Sequence, residues 1–344
     1  MEFLFEYGLF LAKALTLVVA VVAIILVAAQ VGRSQRGQKG ELQVTCLSDQ
    51  LEDYQHHLEG ALLTKEQLKA KEKAEKKAEK ARQKEEKANV DKPRDGRVFV
   101  LDFKAGIEAS EVVSLREEIS ALLTVADKQD QVLVRLESGG GMVHAYGLAS
   151  SQLARLREAG IPLTIAVDKV AASGGYMMAC VADHIVAAPF SIIGSIGVIA
   201  QLPNFNKLLK KSNIEFEQHT AGEFKRTLTM FGENTDSARE KFREELEETH
   251  GLFKDFIGRY RPELDLGKVA TGEHWFATQA LDLGLVDKLS TSDDWLMKQA
   301  KDKEVLKLSY VIKKNLANRF GRGASEALEA VTMKLAELNQ RSRV

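Results

Sequence analysis

Distinct textures of apolar and polar residues follow one another along the chain. Residues 9–29, LFLAKALTLVVAVVAIILVAA, are apolar apart from Lys13 and Thr16. As a helix this run spans about 30 Å, the thickness of a bilayer core, and predicts a single transmembrane anchor. Residues 65–87, KEQLKAKEKAEKKAEKARQKEEK, contain no Gly or Pro and set opposite charges at helical spacing, as in Lys71/Glu75, Glu72/Lys76 and Glu79/Arg82. That pattern predicts an exposed helix. Its repeated small apolar positions, Ala70, Ala74, Ala78 and Ala81, form a thin stripe that suits a spacer better than a coiled coil.

After Pro93 and Gly96 the pattern changes to short β-branched runs separated by helical ones. Strands are predicted at RVFVLDF (97–103), QVLVRLES (131–138), LTIAVD (163–168) and HIVAAP (184–189), with helices near 108–127 and 143–159 and a small-residue helix before 184. Near-continuous apolar strands alternating with helices predict parallel βαβ units and an α/β domain. Residues 236–261 carry apolar side chains at helical spacing and stop before Pro262, and residues 324–341 predict one more amphipathic helix. The expected organisation is an anchor at 1–32, a charged helical linker at 33–95, an α/β domain at 96–300 and a helical tail at 301–344.

Composition narrows the function classes. With 344 residues, 45% apolar and 28% charged, the chain can bury a large core, and a formal net charge of −1 gives no general attraction to nucleic acid. Cys46 and Cys180 are far apart and have no metal-ligand spacing, so two free thiols are expected, with Cys180 packed in the core. A cleaved signal peptide is the alternative to the anchor, with Val27-Ala28-Ala29 as its cleavage site. Glu2 and Glu6 in the leading segment and the length of the apolar run speak against it. Arg33, Arg36 and Lys39 after the run favour a cytoplasmic C-terminal side, although long domains cross membranes largely regardless of charge.

Two glycine-bearing turns are candidates for chemistry. In VDKVAASGGYMMACVAD a strand gives way to a helix at Ser173, which places a hydroxyl at the positive end of that helix, on the sheet edge where α/β folds hold their sites. A plain N-cap explains the same serine. Glu137-Ser138-Gly139-Gly140-Gly141 also opens a helix, and exposed amides there suit a developing oxyanion. A simple tight turn or a phosphate-binding turn is the other reading, the latter weakened by the absence of a Walker lysine-Ser/Thr pair. His144, His184 and His219 leave a Ser-His-Asp triad open, and a desolvated lysine is the alternative base. Residue types alone do not choose among these.

The stretch VAASGGYMMACVADHIVAAPFSIIGSIGVI resembles the signature of the signal peptide peptidase A family of Ser-Lys serine proteases, and HTAGEFKRTLTMF resembles that family's second signature. ATGEHWFATQALDLGLVDKL near the C-terminus is similar to its closing segment. The match spans roughly residues 97–290, and the early anchor, single unit and charged insert are closest to the SohB-like members. The resemblance implies a Clp protease/crotonase-like fold of ββα/βαβ units. It implies Ser173 as nucleophile, Lys225 as general base, Ser195 orienting the lysine, and Gly140 or Gly141 with Gly174 as oxyanion donors. Gly139 departs from the family's pattern, in which proline is common.

The expectations are therefore a membrane-anchored serine endopeptidase with no cofactor or metal, acting on peptides or unfolded or membrane-released segments. It would be held in a bacterial inner membrane by residues 9–29, assembled as a homo-oligomer, without a nucleic-acid partner, and with its protease domain in the periplasm. The alternative is a non-catalytic membrane scaffold on a protease-like fold.

Overall fold

The computed structural model describes residues 40–88 and 96–312. The expected anchor at 9–29 and the expected helix at 324–341 lie outside the described residues. Among those described, no helix is long and apolar enough to cross a membrane. Two compact units divide the chain, residues 1–42 with 310–344 and residues 43–309. Of the first, only Gly40–Leu42 and Tyr310–Ile312 are described, and there the amide of Gly40 donates to the Tyr310 hydroxyl at 2.9 Å.

In the second unit the strands are β2 (Val98–Ala105), β3 (Gln131–Ser138), β4 (Leu163–Val167), β5 (Val170–Ala172), β6 (His184–Ala187), β7 (Ile192–Gly194), β8 (His274–Phe276), β9 (Lys288–Leu289) and most of β10 (Val305–Val311). β1 (Glu41–Cys46) straddles the division. The main path runs β10-β2-β3-β4-β6-β9 and is parallel throughout. A short branch leaves it where β5 pairs with the end of β3, β7 pairs with β5, and β8 closes antiparallel on β7. β10 carries the sheet into the stretch expected as tail.

The predicted helices form α3 (Val112–Leu123), α4 (Val143–Glu158), α5 (Gly174–Ala179) and α7 (Asp236–Tyr260). The spacing of Leu115, Ile119 and Leu122 on α3, and of Tyr146, Ala149, Leu153 and Leu156 on α4, turns one stripe of each helix onto the sheet, where all seven are buried. Thr235 caps α7, accepting from the Ala238 amide at 3.2 Å. The charged segment is the helix α2 (Lys65–Ala88), preceded by α1 (Leu47–Leu62) in a stretch read as linker. Thr64 and Gln67 exchange side-chain and backbone hydrogen bonds to start α2, and Lys71 pairs with Glu59 across the two helices.

Apolar strands were expected to be covered on both faces, and the sheet is less uniform than that. All five residues of β4 are buried. On β2 and β3 the second face is covered only at the amino-terminal half, where Val98, Val100 and Leu133 pack with Trp295 and Leu296 of α10 (Ser292–Gln299). Toward the carboxyl ends that face carries Asp102 bound bidentate by Arg135, and Glu137 between Lys104 and Lys169.

Both cysteines are free, and burial raises the Cys180 thiol pKa. Asp130 is fully buried beside Arg97, with the Arg97 and Asp127 amides also donating to it. Burial alone would raise its pKa, but those donors outweigh it and hold the carboxyl below the usual range. Asp287, bound by Arg261 at 2.7 and 2.9 Å and by the Ile185 amide, is lowered in the same way against its own burial. A folded-state pKa below the unfolded value, about 3.9 for Asp, means that the unfolded chain takes up more protons in acid. Stability from these two groups is complete above pH ~4 and lost as pH falls through the lowered values. Urea midpoints should be flat down to that pH and then drop, and Asp130→Ala, which leaves Arg97 unpaired, should cost about 3 kcal/mol at neutral pH.

Candidate active site

The branch in the sheet gathers the site. In the ladder Ser138 lies opposite Ala171, and Ala172 opposite Gly194, so the carboxyl ends of β3, β5 and β7 stand side by side. The chain leaves these three ends as Gly139-Gly140-Gly141, Ser173 and Ser195. Convergence of strand ends at a change in sheet connectivity is where open α/β folds place ligands.

Ser173 is held in a strained elbow. Its φ of 52° and ψ of −119° lie outside the regions open to most L-residues, and its amide donates to the Gly194 carbonyl at 2.8 Å. Such backbone costs on the order of 1–3 kcal/mol and persists where the surroundings impose it. An N-cap serine has extended backbone and accepts from the first turn of its helix, whereas Ser173 has neither feature. The plain-cap reading therefore fails, and the Ser173 hydroxyl is left for other work at the amino end of α5. Ser195 has the same φ, 52°, and its amide donates to Glu273 at 2.6 Å. Of the four non-glycine residues with positive φ among those described, these two sit at the site.

Gly140 explains the glycine turn. Its φ is +87°, and a Cβ there would lie 2.7 Å from both Ser173 Cβ and the Ala172 carbonyl oxygen, and 2.8 Å from the Gly174 nitrogen. The turn thus packs directly on the serine elbow, and only glycine allows it. The Gly140 amide is already engaged, donating to Ser138 Oγ at 3.0 Å. The Gly141 and Gly174 amides make no hydrogen bond among the described residues.

These groups share a cleft of about 670 Å³ with apolar walls that include Ile107, Val143, Met177, Ile199 and Phe253. Ser173, Ser195, Gly140, Gly141 and Gly174 all line it. Among the described residues no carboxylate, histidine or lysine does. His144, His184 and His219 are exposed and outside it, so the structure assembles no Ser-His-Asp triad from them. Among the described residues no three His, Cys, Asp or Glu side chains cluster as metal ligands.

Lys225 is also outside the cleft. It is exposed, in a turn closed by its amide donating to the Gly222 carbonyl, and its side chain has no hydrogen bond or ion pair among the described residues. The loop that carries it is tied at its base, where Asn204 donates to the Thr229 and Gly232 carbonyls, Asn206 to Phe231, and Phe205 stacks on Phe231. Apolar side chains flank this loop in the open: Ile199, Leu208, Ile214, Phe216 and Phe224 are each more than half exposed or close to it. Sequence reasoning missed Tyr146 at this site. Its hydroxyl meets Ser138 beneath the glycine turn, and its helical spacing signals only a core position.

Comparison with known proteins agrees with this architecture. The profile of peptidase family S49 N-terminal matches residues 2–153, and that of peptidase family S49 matches residues 155–306. A probable protease SohB of Haemophilus influenzae is 51% identical over 332 residues, covering 95% of this chain and 94% of the relative. A probable protease SohB of Buchnera aphidicola subsp. Acyrthosiphon pisum is 50% identical over 335 residues, covering 97% and 98%. Protease 4 of Haemophilus influenzae is 27% identical over 165 residues, 47% of this chain and 27% of its own. With its matched profiles running from residue 2 to residue 306 and half its positions shared with relatives aligned over more than nine-tenths of both chains, the chain belongs to peptidase family S49.

Proposed function

We propose that the protein is a serine endopeptidase with Ser173 as nucleophile and Lys225 as general base, on a Clp protease/crotonase-like arrangement of the sheet and its branch. The observation that carries this is the strained, uncapped Ser173 elbow packed on a glycine turn in a cleft to which the described residues of the same chain contribute no base. Ser173 Oγ attacks the peptide carbonyl carbon while its proton passes to Lys225 Nζ. The new oxyanion is held by the Gly174 amide and by an amide of the 139–141 turn. The C–N bond then breaks as Lys225 returns the proton to the leaving amine. Water attacks the resulting ester, losing its proton to Lys225, and as the ester C–O bond breaks Lys225 passes that proton to Ser173 Oγ, which frees the acid product and restores the neutral lysine. Ser195, on the neighbouring strand end, orients the lysine.

A lysine serves as base only when neutral, and desolvation favours that form. In this reading the exposed Lys225 loop, with its apolar flanks, packs against another copy of the chain, which carries the lysine into that copy's cleft and makes the enzyme a homo-oligomer. The apolar cleft walls suit extended, unfolded or membrane-released peptides. Residues 9–29 hold the protein in a bacterial inner membrane with the protease domain in the periplasm. A C-terminal reporter active only in the cytoplasm would reverse that orientation.

The direct test is labelling of the full-length protein in detergent with a fluorophosphonate probe. Wild type should label and Ser173→Ala should not. A folded wild-type assembly that neither labels nor cleaves peptides would leave a non-catalytic scaffold as the function.

A further inference from the structure

Beneath the glycine turn lies a buried chain of hydrogen bonds that the proposed mechanism does not itself use. The Gly106 carbonyl can only accept, so the Tyr146 hydroxyl donates to it, at 2.7 Å. The tyrosine oxygen must then accept from its other neighbour, the Ser138 hydroxyl. Ser138 Oγ in turn accepts from the Gly140 amide at 3.0 Å. The Ala105 carbonyl, at 3.4 Å, is a second and longer acceptor for the tyrosine proton, and the chain reads in one direction from Gly140 through Ser138 and Tyr146 to the 105–106 carbonyls. Tyr146 and Ser138 are both almost completely buried, so no water competes, and linked hydrogen bonds of this kind strengthen one another. Burial is the main cause that raises the tyrosine's pKa, and its hydroxyl stays a protonated donor.

The same tyrosine also touches the other half of the site. A Cβ at Gly174 would fall 2.4 Å from Tyr146 Cγ, so the ring is the surface on which the start of α5 rests. Its hydroxyl holds the glycine turn and its ring holds the residue after Ser173.

We propose that Tyr146 and Ser138 are positioning residues for the oxyanion site, setting the separation of its two backbone donors, and that Gly141 rather than Gly140 supplies the donor from the turn. This rests on the Ser173 mechanism above. The Gly140 amide cannot serve the substrate without leaving Ser138, and doing so would take from the buried Ser138 oxygen the donor it accepts from. The Gly141 and Gly174 amides are uncommitted and line the same cleft. A donor displaced by a fraction of an ångström loses transition-state stabilisation without changing how the rest of the substrate is held.

The experiment compares Tyr146→Phe and Ser138→Ala with Tyr176→Phe in the full-length protein. Tyr176 is an equally buried tyrosine whose hydroxyl donates to the Leu285 carbonyl at 2.9 Å, away from the turn. All three variants remove a buried hydroxyl, and their unfolding midpoints report that common loss. Tyr146→Phe and Ser138→Ala should each lower kcat about tenfold to a hundredfold with KM nearly unchanged. Each should weaken binding of a peptide boronate, which mimics the tetrahedral oxyanion, by the same factor. The double variant should be little worse than either single one, and Tyr176→Phe should keep wild-type kcat. Equal stability loss in all three with kcat retained would overturn the proposal, as would a rise in KM alone. Cleavage that survives Ser173→Ala would instead sink the mechanism on which the proposal rests.

Discussion

Ser173→Ala and Lys225→Ala proteins should each be almost inert toward peptides, with kcat down by about four orders of magnitude or more, yet a co-assembled mixture of the two should regain a sizeable fraction of wild-type turnover. Losing a nucleophile or its base removes the whole concerted proton transfer, so each single loss is severe and combining them in one chain adds little. Recovery in the mixture follows from the proposal that Lys225 acts in the cleft of another copy of the chain. Lys225 is exposed and absent from the cleft that holds Ser173, so the intact lysine of a Ser173→Ala chain can serve the intact serine of a Lys225→Ala chain. The measurement is peptide hydrolysis after dissociating the two proteins, mixing them and reassembling them, with each variant treated alone as control. A mixture as inactive as its parts would mean that Lys225 serves the serine of its own chain after a rearrangement of the 204–234 loop.

The second large effect belongs to Gly140→Ala. At φ +87° an alanine pays about 1–2 kcal/mol for left-handed backbone alone. Its Cβ would also lie 2.7 Å from the Ala172 carbonyl and Ser173 Cβ and 2.8 Å from the Gly174 nitrogen. Two of these three neighbours are backbone and cannot swing aside, so the turn or the elbow must shift, at a further cost of about 1–3 kcal/mol. Urea denaturation should register a total loss of roughly 3 kcal/mol. Activity should fall more than stability predicts, by at least about a hundredfold at a temperature where the variant is fully folded, because the shift separates Ser173 from the oxyanion donors. Wild-type kcat in a folded Gly140→Ala protein would mean that the turn only spans two elements.

Both predictions depend on a site that was only partly visible in the chain. The motif around Ser173 identified the residue, but its meaning depended on backbone angles. Nothing in Ala-Ser-Gly-Gly distinguishes a capping serine from a strained one, because the difference lies in the bond from its amide to Gly194, a residue placed by another strand. The glycine turn was legible as a candidate, but the commitment of Gly140 to Ser138 was not, since it depends on where Tyr146 points. Tyr146 itself reads in the sequence as one more apolar contact of an amphipathic helix.

Local periodicity by itself determined the α/β class, the strands β2, β3, β4 and β6, the helices α2, α3, α4 and α7, and the burial of Cys180. These follow from the spacing of apolar side chains within single segments, or for α2 from strong helix formers and opposite charges at helical spacing, which any folded arrangement of them must respect. The motifs in order determined the family and nominated Ser173, Ser195 and Lys225. Tertiary structure alone decided that β5 and β7 branch from the main sheet beside β3, that three strand ends meet there, and that the cleft they form holds two strained serines and, among the described residues, no base. It also decided the exposure of Lys225 and the burial of the Tyr146–Ser138 chain. Those outcomes depend on pairings between residues distant in sequence, whose free energies come from close packing and from hydrogen bonds completed in the absence of water. No single segment carries that information.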